Sequence, residues 1–498
     1  MSVASGTPRP NRYVTEHDRA AYRPVHVVWE ITLACDLKCG HCGSRAGSKR
    51  TGELSTAECL QIVADLAALG TREISLIGGE AYLRRDFAEI IAAISAAGIE
   101  CTMQSGARNL TDARLRAAKD AGLKGLGISI DGLADWHDEL RGVRGSFDAA
   151  VAALHRAREL GMATGVNTTI SKRSLEQLDG LLDVLIDTGI SAWVMGMTVP
   201  MGRASERWKM LIEPYRMREA MPKFAALRRR AVRHGIELQL ANNVGYFGPY
   251  ERELRGDGSG DIYFEGCAAG QNAMGIEADG TIKGCPSLPT TVYGGGTVRE
   301  MDLTQIWFER PELAFTRDGA GANGLWGFCG SCYYADVCKA GCTWMADAIL
   351  QRPGNNPYCH HRAESLERQG LRETLRQVEA APGKSFDRGL FEIVVESEDG
   401  RELGVVTRDG RETGVLARDL TPRDAGAVRK DLVVCHGCDR DVRAGTATCP
   451  FCGADVEDER AGYETAIAEV RRALDVLEER LAAARTETAC PSAVHLLP

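Results

Sequence analysis

Six stretches rich in β-branched and apolar residues begin at Val27, Glu73, Glu100, Gly125, Thr164 and Ala192, each followed by a run with helical periodicity. In "TAECLQIVADLAALG", for example, Leu60, Val63, Leu66 and Ala67 fall on one helix face. Strands separated by helices pair in parallel through crossovers, with the helices outside. The alternation therefore predicts an α/β fold: a partial (β/α)6 TIM-like barrel over residues 22–205. In such barrels the chemistry sits at the C-terminal strand ends. Directly after the first strand lies "ITLACDLKCGHCGSRAG", with Cys35, Cys39 and Cys42 spaced C-x3-C-x2-C.

Beyond the barrel, composition divides the chain further. Residues 206–261 read as a helical and irregular linker ending in the Gly-rich "RGDGSGD". Residues 262–365 are loop-rich and carry seven cysteines, and 380–430 form a small strand-rich extension. A compact four-cysteine module spans 431–456, and a helix covers 459–486. The apolar 3-4-3-4 run in that helix, from Ile467 to Leu481, is too short for a coiled coil. It predicts packing on its own protein rather than a partner helix.

The chain's 17 cysteines are too many and too clustered for a disulfide framework in a chain this long, and they point to metal. Fourteen fall in three groups. Cys59 and Cys101 read as buried small hydrophobes on a helix and a strand, and Cys490 receives no reading. A net charge of −9 argues against nucleic acid or an anionic membrane as partner. No apolar run approaches the ~18 residues of a membrane span, and the N-terminal residues lack a signal-peptide core. A cytoplasmic enzyme is expected.

Three thiolates leave one iron of a [4Fe–4S] cube open to a chelating small molecule; zinc or a redox role is the other reading of the spacing alone. The context decides between them. The loop, with His41 at the aromatic position, resembles that of the radical SAM superfamily, C-x3-C-x-aromatic-C. "GGE" (Gly78, Gly79, Glu80) closes the second strand, as in the family motif that holds the methionyl amine. Ser129 and Asp131 in "SID" close the fourth, where the family places ribose and carboxylate contacts. Ser105 in "QSGARN", Asn167 and Arg141 (or Arg144) fall at other cofactor-facing positions. The resemblance implies S-adenosylmethionine cleaved by one electron to a 5′-deoxyadenosyl radical, with an external donor such as a flavodoxin or ferredoxin.

Cys267, Gly280, Cys285, then Cys329-x2-Cys332-x5-Cys338-x3-Cys342 and Cys359 resemble the SPASM signature. A zinc ribbon of Cys329, Cys332, Cys338 and Cys342 is the alternative. The resemblance implies two auxiliary [4Fe–4S] clusters. Cys329, Cys332, Cys338 and Cys359 would ligate the distal one, and Cys267, Cys285 and Cys342 the nearer. The upstream cysteine that some relatives add is absent, so the near cluster has an open iron or an oxygen ligand such as Asp261 or Glu265. Sulfatase-maturing relatives carry an aspartate after the cysteine at 285. Pro286 stands there instead, which argues against that reaction.

Cys435-x2-Cys438 and Cys449-x2-Cys452 make two knuckles at ribbon spacing, which predicts one structural zinc, with rubredoxin-like iron as the alternative. The ribbon reads equally as a docking module or a folding staple. The SPASM resemblance implies an oxidoreductase-like enzyme modifying a peptide or protein, such as a small precursor peptide. Modification of a small molecule such as a tetrapyrrole or cofactor precursor is the second reading, and an iron–sulfur electron carrier the third. No catalytic acid or base is evident. His137 reads as structural, and "CYYADVC" as packing around a cluster.

Overall fold

A computed structural model describes residues 12–256, 263–317, 324–422 and 431–487. The chain divides into two units, Met1–Leu420 and Thr421–Pro498. In the first, β1 (His26–Glu30), β2 (Glu73–Ile77), β3 (Glu100–Ser105), β4 (Gly125–Ser129), β5 (Ala163–Ile170) and β6 (Ala192–Met197) lie side by side in chain order, all parallel. Three of the helices between them start on side-chain caps. Ser55 and Glu58 form a reciprocal capping box ahead of Thr56–Ala68, and Thr111 and Ser171 cap Asp112–Asp120 and Lys172–Thr188. Ile62, Val63 and Leu66 of the first of these helices bury against the sheet with Ile90, Ile94, Leu154, Leu178 and Leu182.

The sheet is larger than the six strands legible in sequence. β7 (Glu237–Leu240), inside the stretch read as helical and irregular, pairs parallel with β6. At the other edge β8 (Ala273–Ile276), from the cysteine-rich region, pairs parallel with β1, and β9 (Thr281–Lys283) and β10 (Gly294–Thr297) follow antiparallel. The cysteine-rich region thus begins as a continuation of the barrel sheet. A Cβ at Gly275 in β8 would lie 2.4 Å from the Pro286 nitrogen. Only glycine lets the Cys285–Pro286 peptide cross this strand so closely.

A second sheet of β11 (Leu371–Glu379), β12 (Leu390–Ser397), β13 (Glu402–Val406) and β14 (Glu412–Gly414) is antiparallel throughout. Its Phe391, Ile393 and Val406 join the same core as the barrel. It starts at Leu371, ahead of the boundary suggested by composition. Cys59 and Cys101 are fully buried in that core.

In the second unit β15 (Leu432–Cys435) and β16 (Arg440–Arg443) form a hairpin, followed by a helix over Val456–Glu487. Val470, Leu474 and Leu477 on this helix are each more than half exposed. The apolar seam is therefore not covered within its own unit. The side chain of Leu481, and Cys490 and Asp261, lie outside the described residues. Among the described residues no helix is long and apolar enough to cross a membrane.

Candidate active site

The cysteine loop is fastened to the end of β2 by the backbone. Gly79 N donates to Thr32 O and Glu80 N to Ala34 O, both at 2.8 Å, and Cys35 N donates to Gly47 O at 2.9 Å. A Cβ on Gly78 would lie 2.3 Å from Thr32 O, and one on Gly79 2.2 Å from Ala34 O and 2.7 Å from Cys35 Cβ. The glycines of "GGE" are therefore needed for close approach to the cysteine loop. Gly79→Ala is expected to displace Cys35 and to lower 5′-deoxyadenosine formation by at least a hundredfold while the far-UV circular dichroism stays unchanged, since Gly79 lies beyond the end of β2.

Glu80 is buried, its Oε2 accepting from Ser105 Oγ at 2.6 Å and its Oε1 from Gly106 N at 2.7 Å. Burial pushes its carboxyl up to about 7 against those two donors. The Cys35 sulfur and one carboxylate oxygen each of Asp36 and Glu80 lie within 4.8 Å of one another. Asp36 accepts from Tyr82 Oη at 3.1 Å and from Asn109 Nδ2 at 2.6 Å.

On the facing side, Asp131 is fully buried and accepts from Arg141 Nε at 2.8 Å and Thr169 N at 2.9 Å. Burial would raise its carboxyl, but the Arg141 guanidinium overcomes this and holds it down at about 2. Arg141 also reaches Cys39 Sγ at 3.7 Å, and His41 Nε2 lies 3.8 Å from Asp131 Oδ2. Burial depresses both His41 and His137 to about 4, so both imidazoles are neutral. His137 Nδ1 accepts from Asp131 N at 3.2 Å, a positioning contact consistent with a structural histidine. Ser129 and Asn167 are paired in register across β4 and β5, and Asn167 Nδ2 donates to Gln104 Oε1.

These strand ends open onto a cavity of about 530 Å³. His41, Gly78, Asn167, Cys285, Cys342 and Trp344 all line it. Glu30, at the end of β1, also lines it and is nearly fully buried. Its Oε1 accepts from Arg50 Nε at 2.7 Å; burial raises its carboxyl, with Arg50 opposing. Arg50 Nη2 lies 3.2 Å from Glu277 Oε2, and Lys283 Nζ lies 2.7 Å from Glu277 Oε1. Lys283 then donates to Pro286 O at 2.9 Å and Leu288 O at 2.8 Å, pinning the turn after Cys285. Sequence reading found no cavity carboxylate, because Glu30 and its partners come from separate elements with no shared spacing.

Cys267 and Cys285 pack on the same small cluster as Leu288 and Tyr293, and both sit close enough to Cys342 to disfavour its thiolate. Cys329, Cys332, Cys338 and Cys359 line a single pocket beside Tyr246 and Tyr334. Burial raises the Cys285 thiol to about 11 and the Cys359 thiol to about 12. Thiolates gathered in such surroundings need a cation, and the donor set fits iron. His361 Nε2 contacts Asp419 Oδ2 at 2.7 Å beside Cys332. Tyr334 stacks on Phe247 at 4.1 Å, so the aromatic run packs around this site. Glu265 is half exposed and paired with Arg19 at 2.9 Å. In the second unit Cys435 and Cys452 Sγ are 3.6 Å apart, and Cys438 and Cys449 Sγ 3.7 Å. All four cysteines lie within 4.8 Å of one another. A tetrahedron with Zn–S bonds of about 2.3 Å places sulfurs about 3.8 Å apart, so the set fits zinc.

Residues 29–185 match the radical SAM superfamily. The chain is 29% identical over 360 residues to the AdoMet-dependent heme synthase of Methanosarcina barkeri, covering 68% of this chain and 97% of that protein. It is 27% identical over 356 residues to the mycofactocin maturase MftC of Mycobacterium ulcerans, covering 70% and 91%. The crystal structure of Streptococcus suis SuiB bound to precursor peptide SuiA superposes with a TM-score of 0.52 at 19% identity, covering 67% of this chain and 75% of that one. The family implies a [4Fe–4S] cluster and S-adenosylmethionine, and the C-terminal cysteine set is compatible with an auxiliary cluster. Residues 29–185 thus carry a radical SAM domain, and a cysteine-rich C-terminal region follows it.

Proposed function

We propose that the enzyme modifies a side chain of a peptide or protein substrate, of the ribosomal peptide maturase kind. In this reading Cys35, Cys39 and Cys42 hold the radical-generating cluster, which supplies the electron that cleaves S-adenosylmethionine. Glu80 holds the methionyl amine, Arg141 (itself fixed by Asp131) the carboxylate, and Ser105, Ser129 and Asn167 complete the cradle. Cys329, Cys332, Cys338 and Cys359 hold one auxiliary cluster, Cys267, Cys285 and Cys342 a second, and the ribbon one zinc. Glu30, at the cavity wall, is placed to take up a proton from the substrate radical, whose electron would pass to the auxiliary cluster that Cys267, Cys285 and Cys342 would hold.

The observation that carries this reading is the cavity lined both by cofactor-side strand ends and by Cys285 and Cys342. Sites for one drug-sized ligand run from about 300 to 1,000 Å³. At about 530 Å³ the cavity falls within that range. The relatedness to maturases such as MftC supports the same class. The heme-synthase relative covers a similar share of the chain and favours a tetrapyrrole as the second reading.

The two separate in one experiment. Anaerobically reconstituted enzyme with S-adenosylmethionine and reductant is offered, in parallel, iron-coproporphyrin III and the product of each short open reading frame beside its gene. A mass change of a few daltons on one peptide, with the porphyrin untouched, is expected. Conversion of the porphyrin with every peptide unchanged would overturn the reading.

A further inference from the structure

We propose that Phe386, carried into the cavity by the loop between β11 and β12, is a specificity-determining residue of the substrate site. It limits entry to an apolar side chain of restricted size. The inference rests on the cavity being the substrate site, as read above, and adds which residue sets what enters.

The loop, residues 380–389, belongs to the strand-rich extension rather than to the barrel. It nevertheless closes over the cysteine loop. Phe386 N donates to Gly43 O at 3.0 Å, and Ser385 Oγ to Ser44 O at 2.8 Å. Asp387 Oδ1 accepts from Arg45 Nε at 2.9 Å, and Asp387 O from Gly202 N at 2.8 Å. Arg388 Nε lies 2.8 Å from Asp347 Oδ2. Contacts along its length fix this loop as a wall rather than a movable lid. Phe386 itself has a φ of +53°, a left-handed conformation that a bulky residue rarely adopts. Such strain persists only where the surroundings over-determine it, and here those surroundings are the cysteine loop and the cavity.

The Phe386 side chain lines the same cavity as His41, Gly78 and Glu30. Its ring covers a cation. Lys283 Nζ is fully buried 3.8 Å from the ring centroid, and Arg50 Cζ lies 5.8 Å from it. The ring therefore gives the cavity an apolar surface in front of a buried charge. Val199, Met201, Pro286 and Trp344 add further apolar lining. An apolar pocket discriminates by fit, one methylene changing the preference roughly 10–200-fold.

The test needs no identified substrate. The reconstituted full chain cleaves S-adenosylmethionine with dithionite in the presence of propan-2-ol or the larger benzyl alcohol, each deuterated at its carbinol carbon. A deuterium atom passes from that carbon to the 5′ carbon, leaving a carbon radical on the alcohol. Mass spectrometry reads the labelled fraction of the 5′-deoxyadenosine formed, which is independent of how much active enzyme each preparation holds. Phe386→Ala should raise the benzyl alcohol label relative to the propan-2-ol label about tenfold, Phe386→Leu should raise it less, and Phe386→Trp should lower it. Phe391→Leu, a core change in β12 beside Trp208, should leave the ratio at its unaltered value. A ratio that does not move in Phe386→Ala and Phe386→Leu would overturn the proposal. So would an equal shift in Phe391→Leu, which would signal general loosening of the hairpin. A shifted ratio with every neighbouring peptide unmodified would uphold the role of Phe386 and strike only the peptide reading. No 5′-deoxyadenosine from the unaltered enzyme would remove the radical SAM assignment, and the proposal with it.

Discussion

With Cys35, Cys39 and Cys42 replaced together by alanine, the anaerobically reconstituted enzyme should hold about 4 iron fewer per chain and form no 5′-deoxyadenosine. The loss is all-or-none because the three thiols are the ligands available on this loop. Burial lifts Cys35 to about 12 and Cys39 to about 11, so their thiolates persist only against iron. The unaltered chain should hold about 12 iron and about 1 zinc if both auxiliary sites and the ribbon fill. About 8 iron would mean that Cys267, Cys285 and Cys342 do not hold a cluster. Iron unchanged by the triple replacement would sink the assignment of the loop.

The second large effect lies in the buried ion pair. Asp131→Asn should destabilise the metal-free protein by about 3–5 kcal/mol in denaturant titration and weaken S-adenosylmethionine binding, because it leaves the Arg141 guanidinium buried without its counter-charge. Arg141 bonds Asp131 Oδ2 through Nε at 2.8 Å and Nη2 at 2.7 Å. Asp131→Leu combined with Arg141→Met should recover much of the stability but none of the binding. With its folded value near 2, below the ordinary 3.8, Asp131 contributes stability that is complete above pH 4 and is lost as pH falls through about 2. A double variant no more stable than Asp131→Asn would show that packing, rather than charge, dominates here.

How much of this was legible beforehand follows from the range of each signal. The six central strands and their helices are local patterns, and the structure places all six in the expected order. β7 was missed because four residues, "ELQL", give too short an alternation to separate from its helical surroundings. β8 was missed because "AMGI" is short and carries a glycine whose purpose, admitting the Cys285–Pro286 peptide, exists only in three dimensions.

Candidate metal sites that depend on residue type and tight spacing were legible in the sequence alone. The three-cysteine loop, "GGE", the two C-terminal cysteine sets and the ribbon each compress their meaning into a few adjacent positions. Tertiary structure decided what such spacing cannot encode. It brought Cys285 and Cys342 to the same cavity as Gly78 and Asn167, and assembled Glu30, Arg50, Glu277 and Lys283 into one buried charge chain. The physical reason is that burial and electrostatic pairing are sums over neighbours drawn from distant segments. A carboxylate such as Glu30 acquires its character from an arginine 20 residues away and from the backbone amide of Ala278, 248 residues away.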